Sequence, residues 1–269
     1  MSGLFITHAP VPNARGTAVI VHGLGEHSGR YPHVIAALHA SRFSVIAYDH
    51  RGHGRSPGAK GAIPGSTTLL EDLAGVLDQA PPGPRILLGH SMGATVAARF
   101  VAEGLEDEPA SWHRQVDALI LSSPALTNYL SRFDRIKLAL ARALAPNLPL
   151  PNRLDVGKLS HEPAVVHAYR SDPLIHDRIS ARLADFVLES GAFVRERAAK
   201  WRVPTLLIFA GADALVDPRG SRGFAVNSPA VVRTQEFAGL YHELFNEAEP
   251  ARSEVFALMR EWLATVVVQ

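Results

Sequence analysis

The side chain best suited to chemistry in this sequence is a serine between two glycines. Residues 89–93 read Gly-His-Ser-Met-Gly, directly after the predicted strand residues 85–88 and before the helix-forming run 94–98. This order predicts a strand, a sharp turn and a helix, with Ser91 exposed at the turn. The glycines fit because side chains there would collide with the strand and the helix. Ser91 is therefore the candidate nucleophile, since this context disfavours a glycine-rich turn that arose by chance.

A serine hydroxyl is a weak nucleophile and needs a base, which in turn needs an orienting acid. After a serine on such a turn, the acid and then a histidine are expected further along the chain, each behind a later strand. The apolar run 205–210 precedes Asp213 and Asp217, and the run 231–237 precedes His242. Asp213 is preferred because it lies nearer the strand end, whereas Asp217 can cap a following helix. His242 is the predicted base.

Two backbone N–H groups are expected to stabilise a developing oxyanion. Met92, directly after the serine, is the first predicted donor. The second is Leu24, in the loop 22–27 that reads His-Gly-Leu-Gly-Glu-His after the apolar run 17–21. The glycines let this backbone approach a ligand closely.

Other histidines have a structural interpretation. His22 is expected to order the loop 22–27 by hydrogen bonding. His50 and His53 have a spacing that would suit a metal ion, but no third ligand is apparent in the sequence. A polar turn is the preferred interpretation, and the proposed chemistry needs neither a metal nor an organic cofactor.

Composition limits the function classes. The chain has 269 residues, with 27 Lys plus Arg, 26 Asp plus Glu and no Cys. The absence of cysteine excludes disulfides, thiolate metal sites and a cysteine nucleophile. A net charge of +1 argues against a nucleic-acid partner. With no secretory signal and no apolar run long enough to span a bilayer, the sequence predicts a soluble and most simply cytoplasmic protein.

Short apolar runs alternate with longer helical patterns, which indicates a mainly parallel sheet covered by helices. The predicted strands are 17–21, 43–48, 85–89, 116–122, 205–210 and 231–237, and the clearest helices are 31–41, 67–79, 92–103 and 251–266. No good strand is apparent from 125 to about 185, which holds the amphipathic stretch 133–144. We expect a helical insertion at 125–185, between the core parts 1–124 and 186–269, over the ligand-binding edge of the sheet.

Four stretches resemble the α/β-hydrolase superfamily, and most closely its monoacylglycerol lipase and lysophospholipase group. They are residues 22–31, 49–56, 89–93 and 171–174. The first stretch, with Glu26 and Arg30, is more specific than the serine motif alone. The resemblance implies the α/β-hydrolase fold, a mostly parallel central sheet flanked by helices, with an inserted helical cap. It also implies that Glu26, Arg30 and Tyr169 lie near the pocket for a polar head group, although ion pairing or cap packing would explain them equally well.

The function expected from this resemblance is hydrolysis of a lipid monoester, most simply monoacylglycerol, through a Ser-His-Asp triad and an acyl-enzyme. A lysophospholipase and a general or feruloyl-type carboxylesterase are the nearest competing functions. An aminopeptidase would need a cap carboxylate such as Glu162 or Asp172, and a non-catalytic receptor conflicts with the complete triad. Apolar cap residues fit either an acyl tunnel or contact with a membrane surface: Ile136, Leu138, Leu140, Leu144, Leu148 and Leu150. The oligomeric state does not follow from the sequence.

Overall fold

A seven-stranded sheet forms the centre of the computed structural model, which describes residues 3–266. The strand order is β1-β3-β2-β4-β5-β8-β9, and every pairing is parallel except that of β1 with β3. The strands are β1 (Ile6–Ala9), β2 (Gly16–Val21), β3 (Phe43–Tyr48), β4 (Arg85–His90), β5 (Ala118–Ser122), β8 (Thr205–Ala210) and β9 (Val232–Phe237). The carboxyl ends of the parallel strands meet at one edge, where polar residues from different strands come together.

Helices cover both faces of the sheet and create two apolar layers. Along β2, Val19 and Val21 belong to one layer and Ala18 and Ile20 to the other. Successive side chains of a strand point to opposite faces, so a strand buried on both sides must be apolar throughout. This burial explains the uninterrupted apolar runs in the sequence. The helices are α1 (Pro32–Ala40), α2 (Thr68–Leu77), α3 (Met92–Glu103), α4 (Arg132–Leu144), α5 (Pro163–Ser171), α6 (Ala181–Glu196), α7 (Arg219–Asn227) and α8 (Ala251–Thr265).

The segment between β5 and β8 is mainly helical, as predicted, but it is not free of strands. β6 (Pro149–Pro151) and β7 (Arg178–Ser180) form a separate antiparallel pair. The prediction that residues 125–185 hold no strand is therefore wrong. Each strand has only three residues, and β6 has a proline at both ends, which removes N–H donors and confines it to an edge. The domain division stays a prediction, and its limit at residue 185 falls inside α6.

The strand β1 has no clear signal in the sequence. It pairs with β3 at the sheet edge, with Ile6 opposite Tyr48. Thr7 and His8, its two central residues, are exposed, so the four-residue strand lacks the apolar run that marks the buried strands. Among residues 3–266, no helix has the length and apolar character needed to cross a bilayer.

Candidate active site

Ser91 stands at a strained turn between β4 and α3. Its backbone has φ 55° and ψ −122°, a conformation that costs a non-glycine residue about 1–3 kcal/mol. The Ser91 N–H donates to the Ser122 carbonyl at 2.9 Å, which helps to hold the turn against the next strand. A Cβ at Gly89 would come within 2.5 Å of Ala94 Cα, and one at Gly93 would overlap the Val21 carbonyl. Both glycines are therefore required by close backbone packing, as the sequence predicted.

His242 and Asp213 lie together at the carboxyl edge of the sheet, beside Ser91. His242 Nδ1 is 2.6 Å from Asp213 Oδ2, and both side chains are buried. The other oxygen of Asp213 accepts the N–H groups of Leu215 and Val216, each at 2.9 Å. These bonds fix the carboxylate, which in turn orients the imidazole and leaves its Nε2 for a reaction partner.

The electrostatics of the pair favour a basic imidazole. Burial acts to lower the pKa of His242, but the Asp213 carboxylate and its hydrogen bond outweigh burial and raise that pKa above its usual value. Burial acts to raise the pKa of Asp213, but His242 and the two backbone donors hold it below its usual value. Asp213 is thus a stable anion that strengthens the basicity of His242.

The competing acid, Asp217, lies outside this arrangement. Its Oδ1 accepts the Arg219 N–H at 3.0 Å, and its carboxylate also pairs with the Arg219 guanidinium. Asp217 lies two residues before Arg219, the first residue of α7. It therefore stabilises the start of this helix, which is the alternative role that the sequence suggested for it.

Leu24 and Met92 flank Ser91, one from a loop and the other from the start of a helix. Met92 is the first residue of α3, and Leu24 lies in the loop after β2 that carries Gly23 and Gly25, here called the oxyanion loop (residues 22–27). Among residues 3–266, neither N–H group donates a hydrogen bond to a backbone carbonyl. A side chain at Gly23 would stand 3.2 Å from Ser91 Cβ, which shows how close the loop comes to the serine.

Two cavities of different chemistry meet at Ser91 and His242. The larger, of about 430 Å³, has a mainly aliphatic lining that includes Leu126, Ile179 and Leu188. The smaller, of about 30 Å³, has a mixed lining, with the aliphatic Val156 and Leu159 beside the polar side chains that distinguish it, and it is here called the polar cavity: Glu26, His90, Tyr169 and Glu243. Leu24, Ser91, Leu154, Leu215 and His242 border both cavities.

The family described as "Serine aminopeptidase, S33" matches residues 12–249. This chain belongs to that family of α/β-hydrolases. The match spans most of the chain and confirms the fold class that the four stretches predicted.

Relatives of this α/β-hydrolase include several lipid hydrolases. It is 36% identical to a monoacylglycerol lipase of Mycolicibacterium smegmatis over 89% of this chain and 85% of the relative. It is 31% identical to the phospholipase YtpA of Bacillus subtilis, over 90% of this chain and 92% of the relative. The crystal structure of a Paleococcus ferrophilus monoacylglycerol lipase superposes with a TM-score of 0.88 at 32% identity, over 98% of this chain and 99% of that chain.

A buried ion network forms the wall of the polar cavity in this hydrolase. Arg30 Nη1 donates to Glu26 Oε2 at 2.6 Å, and both η nitrogens donate to the Glu243 carboxylate at 2.7 Å. Glu26 Oε1 also accepts the Gly23 N–H at 2.6 Å and the Tyr31 hydroxyl at 2.7 Å. Burial acts to raise the pKa of Glu26, but Arg30 and other neighbours hold it well below its usual range. The Glu26 carboxylate therefore orders the loop that holds Leu24.

Glu243 is the functional candidate that sequence reasoning missed. The signal available was its position directly after His242, which places it at the same sheet edge. Its pairing with Arg30 joins residues 213 positions apart, and no local pattern predicts such a contact.

Tyr169, the third residue implied by the resemblance, comes from α5 in the inserted segment. The Arg30 guanidinium lies 4.8 Å from the centre of its ring, close enough for a cation–π contact. Burial, followed by the charges of Glu26 and Glu243, raises the pKa of the Tyr169 phenol, so the hydroxyl stays protonated. It borders the polar cavity, where it can donate a hydrogen bond.

The histidines near the oxyanion loop form a connected network. His22 Nδ1 donates to the Gly23 carbonyl at 2.8 Å, while its Nε2 accepts the His50 N–H at 2.8 Å. His53 Nδ1 lies 3.0 Å from the Arg51 carbonyl. Burial lowers the pKa of His22 to about 4 and of His53 to about 3, so both rings are neutral. Across residues 3–266, no three His, Asp or Glu side chains gather as ligands for a metal ion.

The apolar residues suggested for an acyl tunnel lie elsewhere. None of them borders the large cavity, and five are at least half exposed: Ile136, Leu140, Leu144, Leu148 and Leu150. The cavity is instead lined, from the segment between β5 and β8, by residues such as Leu130, Leu154, Ile179 and Val187. The outward stripe of α4 and the cavity lining are thus separate apolar surfaces.

Proposed function

We propose that this carboxylic ester hydrolase cleaves monoacylglycerol to glycerol and a free fatty acid. The observation that carries the proposal is the junction of an apolar and a polar cavity at Ser91 and His242. An acyl chain would fill the apolar cavity, and the glycerol moiety would face the polar one. The ester carbonyl would then lie between them, next to the serine.

In the proposed mechanism, Ser91 Oγ attacks the ester carbonyl while His242 Nε2 takes its proton. Asp213 holds the imidazole through Nδ1 and stabilises the imidazolium that forms. The N–H groups of Leu24 and Met92 bind the oxyanion. His242 then protonates the departing glycerol oxygen, which leaves an acyl-serine.

The second half of the reaction uses the same groups. Water enters beside His242, which takes a proton from it as the water oxygen attacks the acyl carbonyl. The tetrahedral species collapses, His242 returns a proton to Ser91 Oγ, and the fatty acid is released. No metal or organic cofactor takes part in the proposed steps.

Charge in the polar cavity favours a neutral head group over a phosphate. Glu26 and Glu243 supply two negative charges and Arg30 one positive charge, so the network has a net charge of −1. A phosphodiester would be repelled, whereas glycerol hydroxyls can donate to the carboxylates and accept from the Tyr169 hydroxyl. One specific observation favours a lysophospholipase function, namely the similarity to a Bacillus subtilis phospholipase.

An aminopeptidase and a feruloyl-type esterase have less support. Glu162 caps α5 by accepting the Ala164 N–H, and Asp172 lies 2.8 Å from His27 Nε2; neither borders the two cavities at Ser91. The cap carboxylates that an aminopeptidase would use to bind a substrate ammonium are therefore placed elsewhere. A feruloyl-type esterase would hold an aromatic acyl group, while the large cavity is mainly aliphatic.

A substrate panel tests the assignment. We expect kcat/KM for 1-monooleoylglycerol to exceed that for 1-oleoyl lysophosphatidylglycerol, whose phosphodiester head group is anionic, and that for dioleoylglycerol and trioleoylglycerol. Glu243→Gln removes one negative charge beside the head group, so the ratio of monoacylglycerol to lysophospholipid turnover should fall by about tenfold, or about 1.4 kcal/mol. Glu261→Gln is the matched control because Glu261 pairs with Arg233 on the exposed surface. Equal kcat/KM values on all classes would contradict the monoacylglycerol assignment and leave a general esterase.

We also propose that the enzyme makes transient contact with a lipid surface through α4. Phe133, Ile136, Leu140 and Leu144 lie on one face of this helix, and all four are more than half exposed. Basic residues flank the stripe, including Arg132, Lys137 and Arg142. An amphipathic helix of this kind lies in the plane of a bilayer surface.

A further inference from the structure

Residues 169–176, here called the tether, lie against the oxyanion loop. The His176 N–H donates to the Gly25 carbonyl at 2.9 Å. His27 Nε2 lies 2.8 Å from Asp172 Oδ2. The tether therefore binds Gly25, which is adjacent to the proposed oxyanion donor Leu24, and His27, which is three residues further along the chain than Leu24. Asp172 belongs to the stretch 171–174, for which the proposed mechanism assigns no role.

The hydrogen bonds fix the direction of the His27–Asp172 contact. His27 Nδ1 accepts the Gly29 N–H at 3.2 Å, so Nε2 carries the ring proton and donates to Asp172. The other oxygen of Asp172 accepts the Leu174 N–H at 2.8 Å. Each partner is thus held by a backbone group of its own segment, and the contact links two ordered backbones.

The loop and the tether also touch directly. Gly25 has φ +77°, and a Cβ at this position would overlap the His176 carbonyl oxygen. His176 is itself anchored, because its Nδ1 accepts the Arg178 N–H and its Nε2 donates to the Gly52 carbonyl at 3.0 Å. A displacement of the tether would therefore be transmitted to Gly25 and, through the adjacent Leu24, to the peptide group that carries the Leu24 N–H.

We propose that Asp172 and His27 are positioning residues that hold the Leu24 N–H in place for the oxyanion. The inference rests on the oxyanion role proposed for Leu24. An oxyanion donor acts at about 2.7–3.1 Å from the charged oxygen, so a small shift weakens transition-state binding. The intact ester bears no full charge at that oxygen, so its binding depends less on the position of this donor.

The test compares Asp172→Ala with the wild-type enzyme and with Asp177→Ala. Asp177 is an exposed carboxylate whose ion pair is with the adjacent Arg178, so it controls for loss of charge near the tether. We expect kcat for 1-monooleoylglycerol to fall about tenfold in Asp172→Ala with KM within about twofold, and both constants to stay unchanged in Asp177→Ala.

Two inhibitors separate positioning from general damage. A long-chain trifluoromethyl ketone forms a tetrahedral adduct with an oxyanion, so its Ki should rise in Asp172→Ala by about the same factor as kcat falls. A non-hydrolysable 1-O-alkylglycerol ether resembles the intact substrate, and its Kd should not change. An unchanged kcat, or an equal loss of affinity for the ketone and for the ether, would overturn the inference.

A double-mutant cycle tests whether the two residues act as one unit. His27→Ala should cost about as much kcat as Asp172→Ala, and the double variant should cost no more than either single change. His27→Gln, which restores a donor, should recover part of the loss. Losses that multiply to about a hundredfold would overturn the inference. Titration with a fluorophosphonate normalises each rate to the active enzyme present.

The same measurements distinguish this inference from the proposed function. If the wild-type enzyme turns over esters and Asp172→Ala has the same kcat and KM, only the positioning role is contradicted. A wild-type enzyme that hydrolyses no ester and is not labelled by a fluorophosphonate contradicts the proposed function itself.

Discussion

Three side chains meet at the proposed catalytic centre, and a different local interaction positions each of them. A strained turn presents Ser91, a short hydrogen bond orients His242, and two backbone N–H groups hold Asp213. The charge of Asp213 has two consequences, because it selects the imidazole tautomer and raises the pKa of His242. Removing that charge should therefore change both the rate and its pH dependence.

We expect Asp213→Asn to reduce kcat by about 10⁴-fold. His242 must be neutral to accept a proton, so wild-type kcat/KM should fall as the pH drops through a pKa above 6.5. Without the carboxylate, burial lowers the pKa of His242, and the midpoint of this acid limb should move to lower pH. A pH–rate profile from about pH 4 to 9 measures both effects.

Asp217→Asn is the matched control for this prediction. Asp217 is a second carboxylate after the same strand, and it pairs with Arg219. Its replacement should leave the midpoint of the acid limb where it is in the wild type. A large loss of kcat in Asp217→Asn with little loss in Asp213→Asn would contradict the assignment of the acid.

At the residue scale, the sequence predicted those site residues whose positions depend on their neighbours along the chain. Ser91 is flanked by glycines that backbone packing requires, and Asp213 and His242 each follow a recognisable strand. Glu243 was not predicted because its importance comes from a contact with Arg30 across the fold. The volume and lining of the acyl cavity likewise depend on how the inserted segment folds over the sheet.

At the element scale, burial decides which features a sequence reveals. The bounds of β3 and β8 agree with prediction because apolar runs mark both strands, and those of α3 agree because the turn at Ser91 fixes where the helix begins. The short strands β1, β6 and β7 were missed, since edge strands of three or four residues carry little pattern. The helix α4 was predicted from its amphipathic stretch, but the outward direction of its apolar face became visible only in the structure.

The exposed face of α4 leads to a prediction about lipid surfaces. Leu140→Ser combined with Leu144→Ser should weaken binding to phosphatidylcholine–phosphatidylglycerol vesicles by at least about tenfold, because two apolar side chains no longer enter the bilayer surface. Cosedimentation with the vesicles measures this effect. Hydrolysis of a water-soluble p-nitrophenyl ester should stay unchanged, since neither residue borders the cavities.

Val226→Ser provides the control for this pair. Val226 is 84% exposed on α7, so its change removes apolar surface outside α4. Equal losses of vesicle binding in both variants, or none in the α4 variant, would contradict the proposed orientation.

At the scale of the whole molecule, buried histidines couple stability to pH. Burial lowers the pKa of His22 and His90 to about 4 and that of His53 to about 3. In the unfolded chain each would titrate near about 6.5. The stability that they contribute while neutral is therefore complete above about pH 6.5 and is lost as the pH falls toward about 4. The contribution of His242 to stability has the opposite pH dependence, because its raised pKa adds stability that is lost as the pH rises.

We expect the Tm to fall steeply between about pH 6.5 and about pH 4.5. Each histidine that takes up a proton on unfolding contributes about 1.4 kcal/mol per pH unit. Calorimetry at half-unit intervals measures the slope. The exposed His8 serves as a control, since His8→Asn should leave the slope unchanged. A Tm that stays constant over this range would contradict the neutral state of the buried rings.

The most direct test of the proposed function is the detection of an acyl-enzyme on Ser91. The enzyme is mixed with 1-monooleoylglycerol, quenched in acid within milliseconds and examined by intact-protein and peptide mass spectrometry. We predict one oleoyl group on the peptide that contains Ser91, none in Ser91→Ala, and no turnover by that variant. An oleoyl group on another residue, or turnover of monoacylglycerol by Ser91→Ala, would contradict the proposed mechanism.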